Sequence, residues 1–277
     1  MNARLVWIDG TLVPEDRATV SVFDHGLTVG DGVFESVKAV GGVPFALTRH
    51  LARLAGSARG LGLAEPDLER VRQAVQDTIA AQADPGEDLR VRITYTGGIS
   101  PPGSARGTAE PTLVVAVTPL VEAESSAAVV TVPWPRNERG ALAGLKTTSY
   151  AENVIALAYA RERGGSEAIF ADTTGRLCEA TGSNVILSID GQLVTPSLDS
   201  GCLAGVTRGL ALEWCDVIEA DIPFEALFEA DEVALASTTR NIQPVHAVDG
   251  RALSAPGPLT TAAMVAWLSA AADHPDP

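Results

Sequence analysis

The sequence predicts an α+β fold built from two halves. Segments with strand-like alternation and segments with helix-like periodicity occur in groups along the 277 residues rather than in strict alternation, a pattern typical of α+β proteins. The stretch PLVEAESSA at 119–127 has the character of a connection. We therefore place the two domains at residues 1–118 and 119–277.

Turn residues and apolar periodicity define the elements of the first half. An Asp-Gly pair at 9 and 10 indicates a tight hairpin turn. Thr48 is expected to cap the first long helix, and Pro66 to begin the second. A long loop rich in glycine and proline precedes the last strand, and loops of this length are often functional. The predicted elements are a hairpin at 3–13, a strand at 33–40, a helix from Thr48, a helix at 66–83, and strands at 89–96 and 112–120.

The second half follows the same logic. A second Asp-Gly pair at 190 and 191 indicates another hairpin, and a glycine-rich loop leads into a helix near residue 206. The predicted elements are a strand at 128–134, a helix at 149–164, strands within 167–180, a hairpin at 184–196, a loop and helix at 201–215, a last core strand at 229–238 and a helix at 259–272.

Charge and hydropathy exclude several classes of partner. The net charge of −15 makes nucleic acid and anionic lipid poor partners, although a small anionic ligand remains compatible where local positive groups exist. No apolar run approaches the roughly 18 to 20 residues that a membrane-spanning helix requires. The first residues enter a strand without a basic and apolar leader. We expect a cytoplasmic protein.

The cysteines argue against a disulfide framework and against a metal site. Cys178, Cys202 and Cys215 are odd in number and lack CxxC spacing. We expect reduced, mostly buried thiols and no bound metal.

Lysine is rare in this chain. Only Lys38 and Lys146 are present, and arginine carries nearly all of the positive charge. A composition bias explains the scarcity, but a lysine that remains can be one that chemistry requires, because arginine is too basic to act as an amine nucleophile. Lys146 follows a glycine-containing loop and precedes a helix, where it could point into a cleft or simply lie in solvent. Lys38 is in phase with Phe34 and Ser36 on a strand.

Three further segments could bind an anion or a heterocycle. The turn at 201–208 precedes a helix and would offer backbone N–H groups to a phosphate, although tight loops of this kind are common. Three hydroxyl residues, Ser237, Thr238 and Thr239, end an apolar strand, and Arg53 could add a charge-assisted contact to the same anion. Glu179 could hold a heterocyclic nitrogen protonated, or it could be a solvated turn residue.

In combination and order, these segments resemble the class IV, or fold type IV, pyridoxal-phosphate enzymes. That family includes branched-chain and D-amino-acid aminotransferases, R-selective amine transaminases and aminodeoxychorismate lyases. The resemblance covers about residues 5 to 250, and its motifs are FDHGLTVGDGVFESVKAV, HLARL, LKTTSY, LCEATGSNV, LAGVTR, and STT followed by IQPV.

The resemblance implies a set of cofactor contacts. Lys146 matches the lysine that holds pyridoxal 5'-phosphate as a Schiff base, and Glu179 matches the glutamate that faces the pyridine nitrogen. The other implied contacts are Arg53, Val206, Thr207, Thr238 and Thr239 for the phosphate, Leu203 against the ring and Tyr150 near the phenolic oxygen. The resemblance also implies a smaller N-terminal α/β domain, a larger C-terminal mixed, β-barrel-like domain that binds the cofactor, and a homodimer.

The substrate region departs from the known members. Phe34 matches an aromatic residue lining the substrate pocket, while Arg90, Arg92 and Arg106 are candidate carboxylate binders. Strand alternation places Arg90 and Arg92 on one face. The arginine-histidine pair of the D-amino-acid enzymes lacks its histidine here. The tyrosine of the branched-chain enzymes and the glycine-arginine run of the lyases are also missing.

The resemblance favours an aminotransferase that moves an amino group between an amino acid or amine and a keto acid. The first alternative is aminodeoxychorismate lyase, which would use the same Lys146 but release pyruvate. A non-catalytic relative and a cofactor-free Schiff-base enzyme are further alternatives. A non-catalytic relative would not need to keep Lys146, Glu179 and Arg53, and a cofactor-free enzyme would not need two phosphate segments.

Overall fold

The computed structural model describes residues 4–82 and 86–277, and these form two compact units. The first unit contains the described residues up to Val121 together with 145–150 and 275–277, and the second contains 122–144 and 151–274. The chain therefore passes between the units more than once, which the single boundary placed between residues 118 and 119 did not anticipate. Both units combine helices with sheets, so the α+β prediction is confirmed.

The first unit is a six-stranded antiparallel sheet with two long helices on one face. The elements are β1 (Leu5–Ile8), β2 (Thr11–Pro14), α1 (His25–Thr28), β3 (Gly32–Val40), β4 (Val43–Pro44), α2 (Leu47–Leu61), α3 (Leu68–Ala80), β5 (Leu89–Thr96) and β6 (Thr112–Pro119), with a 3-10 turn at Glu15–Arg17. The strand order is β2-β1-β6-β5-β3-β4. Valines of β3 and β5 pack against leucines of α2 in a continuous apolar core.

Most strand predictions for this unit are confirmed. β1 and β2 pair as a hairpin around Asp9 and Gly10, which have φ angles of 46° and 108°, as a tight Asp-Gly turn requires. The structure gives β5 the bounds that alternation predicted. Residue 3 of the predicted hairpin and residue 83 of the predicted helix lie outside the described residues.

The predicted helix starts are wrong in detail. Helix α2 begins at Leu47, and Thr48 does not cap it. Instead, Asp276 accepts hydrogen bonds from the Thr48 N–H at 2.8 Å and from its hydroxyl at 2.6 Å. Helix α3 begins at Leu68 rather than at Pro66, because the Asp67 side chain accepts from the first free N–H groups.

The second unit is built on a nine-stranded mixed sheet. The elements are β7 (Ala127–Thr131), α4 (Ala151–Arg161), β8 (Glu167–Ala171), β9 (Leu177–Ala180), β10 (Asn184–Ile189), β11 (Gln192–Pro196), a 3-10 turn at Leu198–Ser200, α5 (Val206–Trp214), β12 (Val217–Ala220), α6 (Ala226–Glu229), β13 (Val233–Ser237), β14 (Asn241–Val248), β15 (Arg251–Ala252) and α7 (Pro258–Asp273). The strand order is β12-β11-β10-β13-β14-β7-β8-β9, with β15 paired to β14. Three strand pairs are parallel, namely β11 with β12, β14 with β7, and β7 with β8.

This sheet curls on itself, because β9 at one end also packs against β10 and β11. The curl encloses an apolar core that includes Ile169, Leu187 and Leu235, and it fits the predicted barrel-like shape. In the part of the chain that the structure describes, no helix is long and apolar enough to cross a membrane.

The prediction that β13 is the last core strand is wrong. β14 follows it, is largely buried, and pairs with both β13 and β7. Pro244 weakens the strand signal, since proline cannot donate to a ladder. The structure tolerates it because pairing with β7 begins only at Val245.

Replacing Asp276 by alanine tests the cap on α2. Loss of a side-chain cap typically costs about 1 kcal/mol, so we expect the urea midpoint of Asp276→Ala to fall by a corresponding amount. Asp276→Asn should retain much of the stability, because asparagine also caps well. Asp273→Ala, at an exposed position at the end of α7, serves as the control. Equal midpoints for Asp276→Ala and Asp273→Ala would contradict the assignment of Asp276 as the cap.

Candidate active site

Lys146 lies against strand β3. The Phe34 N–H donates to the Lys146 carbonyl at 3.0 Å, and the Thr148 N–H donates to the Gly32 carbonyl at 2.8 Å. Thr147 forms an antiparallel bridge with Val33, and the Lys146 N–H donates to the Ser57 hydroxyl of α2 at 3.2 Å. Lys146 is therefore an added edge residue of the first sheet, five residues before α4 begins, and not the helix-terminal residue that the sequence suggested.

The glycine-rich loop before β3 orders this segment. The Thr148 and Ser149 hydroxyls both donate to the Gly30 carbonyl, at 2.9 and 3.1 Å. Gly30 has a φ of 72°, and a Cβ atom there would lie 2.6 Å from the Ser149 hydroxyl. Only glycine combines this backbone conformation with so close an approach. The loop thus acts as a support for the lysine segment.

Phe34 is the centre of the residues that the structure brings together in the first unit. The Lys146 ammonium lies 4.2 Å from its ring centroid, and the Arg92 guanidinium lies 3.3 Å from it. The Tyr150 ring meets Phe34 edge to face at 5.3 Å. Four predicted site residues, Phe34, Arg92, Lys146 and Tyr150, therefore form one cluster.

Arg92 and Arg90 share a face of β5, opposite the face that packs on the helices. Burial and the neighbouring Arg90 charge lower the pKa of Arg92 to about 10, so the guanidinium is charged at neutral pH. Arg92 makes no ion pair with any residue that the structure describes. Arg90 is exposed and lies across from Lys38, which is buried over the Phe45 ring. Arg92 is thus the half-buried cation beside Phe34.

Arg106, unlike Arg92, is held in an ion pair and in hydrogen bonds to backbone carbonyls. Its guanidinium pairs with both Asp31 carboxylate oxygens at 2.7 and 2.6 Å, and it also donates to the Gly62 and Leu61 carbonyls. These contacts fasten the 97–111 loop to the end of α2. Because its donors are largely occupied, the geometry argues against Arg106 as a carboxylate binder for substrate.

Arg53 belongs to a buried ion-pair network that was not predicted from the sequence. Its Nε and Nη2 donate to the two carboxylate oxygens of Glu35 at 2.7 Å, and His50 Nδ1 lies 2.7 Å from Glu35 Oε2. Arg53 lowers the pKa of the fully buried Glu35 to about 2 against the effect of burial. Burial lowers the pKa of His50 and so favours its neutral form. The sequence signal for this network was Glu35, an acidic residue at a position of β3 that faces the core.

In the second unit, Glu179 is fixed at the end of β9. Its Oε2 accepts from the Leu203 N–H at 2.9 Å, and its Oε1 lies 3.5 Å from Arg136 Nε. The Asn184 side chain donates to the Leu203 carbonyl at 2.8 Å. Glu179 is therefore connected directly to the glycine-rich loop that opens α5.

The N-terminus of α5 has the properties of an anion site. Gly205 is its N-cap and supplies no side chain, so no side chain caps the first N–H groups. A Cβ atom at Gly205 would lie 2.0 Å from Asn184 Oδ1, so glycine is required. Val206 and Thr207 form the first turn of the helix. Unpaired N–H groups and the helix dipole together favour a phosphate there.

The hydroxyl-rich turn is also in the second unit. Thr238 and Thr239 lie in the turn between β13 and β14, and α5 packs against β13. The second unit thus presents a helix N-terminus, a hydroxyl turn, a carboxylate at Glu179 and the apolar Leu203. This donor set fits the phosphate, ring nitrogen and ring face of a pyridoxal phosphate.

The thiols stand apart from this chemistry. Cys178, Cys202 and Cys215 are all free and buried, as predicted. Burial raises the pKa of Cys215 to about 11 and also raises that of Cys178. Within the described ranges, 4–82 and 86–277, no cluster of His, Cys, Asp and Glu could hold a metal ion.

Comparison with known families identifies the class of protein. Residues 32–248 match the family model described as amino-transferase class IV, so the chain belongs to that family. The family uses pyridoxal phosphate, and this chain is a pyridoxal-phosphate-dependent aminotransferase.

Individual relatives agree with this assignment. The chain is 32% identical over 259 residues to a putative branched-chain-amino-acid aminotransferase of Methanocaldococcus jannaschii, covering 90% of this chain and 89% of the relative. It is 30% identical to a bifunctional aminodeoxychorismate lyase and D-amino acid transaminase of Mycobacterium tuberculosis, with 90% and 92% covered. A crystal structure of a Thermoproteus uzoniensis branched-chain aminotransferase with norvaline gives a TM-score of 0.87 at 29% identity, covering 95% and 93% of the two chains.

The buried network around Glu35 predicts loss of stability in acid. The pKa of His50 is lowered in the folded protein. When the pH falls below the ordinary histidine value of 6.5, the unfolded chain therefore binds a proton at His50 more readily than the folded protein does. Glu35 acts in the same direction below 4.5, towards its folded value of about 2. We expect the free energy of unfolding to fall as the pH drops below about 6.5.

Urea denaturation at pH 7.5, 6.5 and 5.5 measures this effect. His50→Gln should flatten the dependence on pH, whereas His246→Gln, at an exposed histidine, should leave it unchanged. An unaltered slope in His50→Gln would show that another group causes the acid sensitivity.

Proposed function

We propose that Lys146 is the catalytic lysine of this aminotransferase and binds pyridoxal phosphate covalently. The observation that carries this proposal is the position of its amine 4.2 Å from the Phe34 ring centroid, beside the cation Arg92. When bound, pyridoxal phosphate supplies an electron sink for the carbanion formed at the substrate α-carbon. Once the substrate amino group has displaced it from the cofactor, the Lys146 amine would take the α-proton and later return a proton, acting as general base and general acid.

The family resemblance supports the other cofactor contacts that we propose. We propose that Arg53, the N–H of Val206, Thr207, Thr238 and Thr239 bind the phosphate. Glu179 would accept a hydrogen bond from the protonated ring nitrogen, since a carboxylate opposite that nitrogen favours its protonated form. Leu203 would pack against the ring, and Tyr150 would hydrogen-bond to the phenolic oxygen.

For the substrate, we propose that Arg92 binds the carboxylate and that Phe34 lines the pocket. Arg92 is half-buried, charged and directly beside Phe34, whereas Arg90 is exposed and further along the strand. A partly desolvated guanidinium makes strong charge-assisted contacts with a carboxylate. We give Arg106 no part in this role, because its Nε, Nη1 and Nη2 all donate to Asp31 or to the Leu61 and Gly62 carbonyls.

The amino donor we propose is a small amino acid with a free carboxylate. The named relatives act on branched-chain or D-amino acids, and both classes present a carboxylate next to the amino group. The family match and the relatives favour transamination over the lyase reaction, and even the relative named as a lyase is also named a transaminase.

We also propose that the protein is a cytoplasmic homodimer. Phe23, Leu27 and Val29 are exposed apolar side chains beside the glycine-rich loop of the first unit, and Ile99 is exposed as well. Contiguous exposed apolar side chains commonly mark an interface, and a second copy of the chain is the occupant we propose. The buried free thiols suit a reducing compartment.

Attachment of the cofactor to Lys146 can be mapped because the chain has only one other lysine. Burial lowers the pKa of Lys38 to about 8, so the Lys38 amine is partly neutral near neutral pH and could compete with Lys146 for the cofactor. We expect borohydride reduction of the loaded protein, followed by peptide mass spectrometry, to find the cofactor on Lys146. The visible absorption band should be lost in Lys146→Met and retained in Lys38→Met. A band that survives in Lys146→Met would refute the proposal.

The role of Arg92 is tested with two kinds of amino donor. A charge-assisted hydrogen bond contributes roughly 1.5 to 3 kcal/mol, so Arg92→Met should raise KM for an amino acid about 10- to 150-fold. For an amine without a carboxylate, KM should change little. Arg90→Met is the matched control on the same strand face. If Arg92→Met weakens both donors equally, Arg92 does not bind the carboxylate.

A further inference from the structure

Arg136 is a partly buried cation next to the carboxylate of Glu179. Its Nε lies 3.5 Å from Glu179 Oε1, and this nitrogen is buried without a hydrogen-bond partner among the described residues. The other carboxylate oxygen, Oε2, accepts from the Leu203 N–H. The two oxygens of Glu179 are thus bounded on one side by a backbone N–H and on the other by a guanidinium.

The position of Arg136 is fixed by the second unit itself. Its N–H donates to the Ala171 carbonyl at 2.8 Å, and its guanidinium lies 4.0 Å from the Phe170 ring centroid. Stacking on an aromatic face leaves the edge of a guanidinium free to donate. This edge is the part that carries Nε and faces Glu179.

Arg136 has a second acidic neighbour, and the two differ in exposure. Glu152 Oε2 lies 3.2 Å from Arg136 Nη1, but the Glu152 side chain is 77% exposed, whereas that of Glu179 is 16% exposed. Exposed ion pairs contribute little because water and salt screen them. The partly buried pair with Glu179 therefore contributes more interaction energy than the exposed pair with Glu152.

We infer that Arg136 is a positioning residue that keeps Glu179 ionised and oriented towards the cofactor ring. The inference rests on the proposed role of Glu179 opposite the ring nitrogen. A carboxylate removed from water favours its neutral form unless a cation compensates. Without Arg136, Glu179 would bind a proton more readily and rotate more freely, and it would then accept less well from the ring N–H.

The test compares Arg136→Met, Arg136→Lys and Glu179→Gln with the wild-type holoenzyme. We expect the absorption spectrum of the wild-type holoenzyme to be constant from pH 6 to 8, and that of Arg136→Met to change with pH in this range. The kcat of Arg136→Met should fall on the order of tenfold, the effect of losing one charge-assisted contact, with a smaller change in KM. Arg136→Lys should restore the spectrum in part, because it keeps the charge.

A double-mutant cycle separates this role from a structural one. If Arg136 acts through Glu179, Arg136→Met should add nothing to the spectral change and the kcat loss already present in Glu179→Gln. Additive effects, or an unchanged spectrum in Arg136→Met, overturn the inference. Glu152→Gln is the control at the exposed neighbour and should match the wild type. The melting temperature of each apoprotein reports whether a variant is merely unfolded.

The outcomes also distinguish this inference from the proposed function. If wild type binds no cofactor, both fail. If Glu179→Gln leaves the spectrum unchanged, the role of Glu179 fails and the inference with it. If Glu179→Gln alters the spectrum and Arg136→Met does not, only the inference about Arg136 fails.

Discussion

The backbone pairing between the Lys146 segment and β3 is the constraint on which the cluster of residues around Phe34 depends. A lysine on an unsupported loop would have many side-chain positions available. Here the Phe34 N–H and the Gly32 carbonyl hold both sides of residue 147, so the root of the Lys146 side chain is fixed relative to the Phe34 ring. Rigid support of this kind is what places a reactive group productively. The close approach of Gly30 to Ser149 explains why the preceding loop is rich in glycine.

The arginines of the first unit are distinguished by their partners. Arg53 and Arg106 each face a carboxylate in a two-point contact, with Glu35 and Asp31 respectively. Arg92 instead lies on an aromatic ring. In a chain with a net charge of −15, a half-buried cation without an acidic partner among the described residues is unusual. A ring stabilises a cation without neutralising its charge, so Arg92 keeps an attraction for anions that is weakened in Arg106 by Asp31 and two backbone carbonyls.

The sequence predicted local structure better than it predicted long-range contacts. The two Asp-Gly hairpins and strand β5 depend on turn chemistry and alternation within a few residues, and these were predicted correctly. The cap of α2 comes from Asp276, more than two hundred residues away, so no local pattern could reveal it. The same reason explains Arg106, whose partners Asp31 and Leu61 are distant in the chain. The sequence did not predict strand β14 because Pro244 argues against a strand. The fold accommodates this proline because β14 pairs with β7 only from Val245 onwards.

Strand β3 shows why a strictly alternating interpretation loses information about function. Its even positions, such as Phe34, face the side of the sheet with Arg92, and its odd positions face α2 and should be apolar. Glu35 breaks the rule, since it lies among valines on the face that packs on the helix. A buried carboxylate is costly without compensation, so an acid at a core position implies a cation opposite it. Applied to the sequence, that argument leads from Glu35 to His50 and Arg53 on the next helix. Both faces of one strand therefore support proposed site residues: one contacts Lys146, the proposed catalytic lysine, and the other holds the arginine proposed to bind the phosphate.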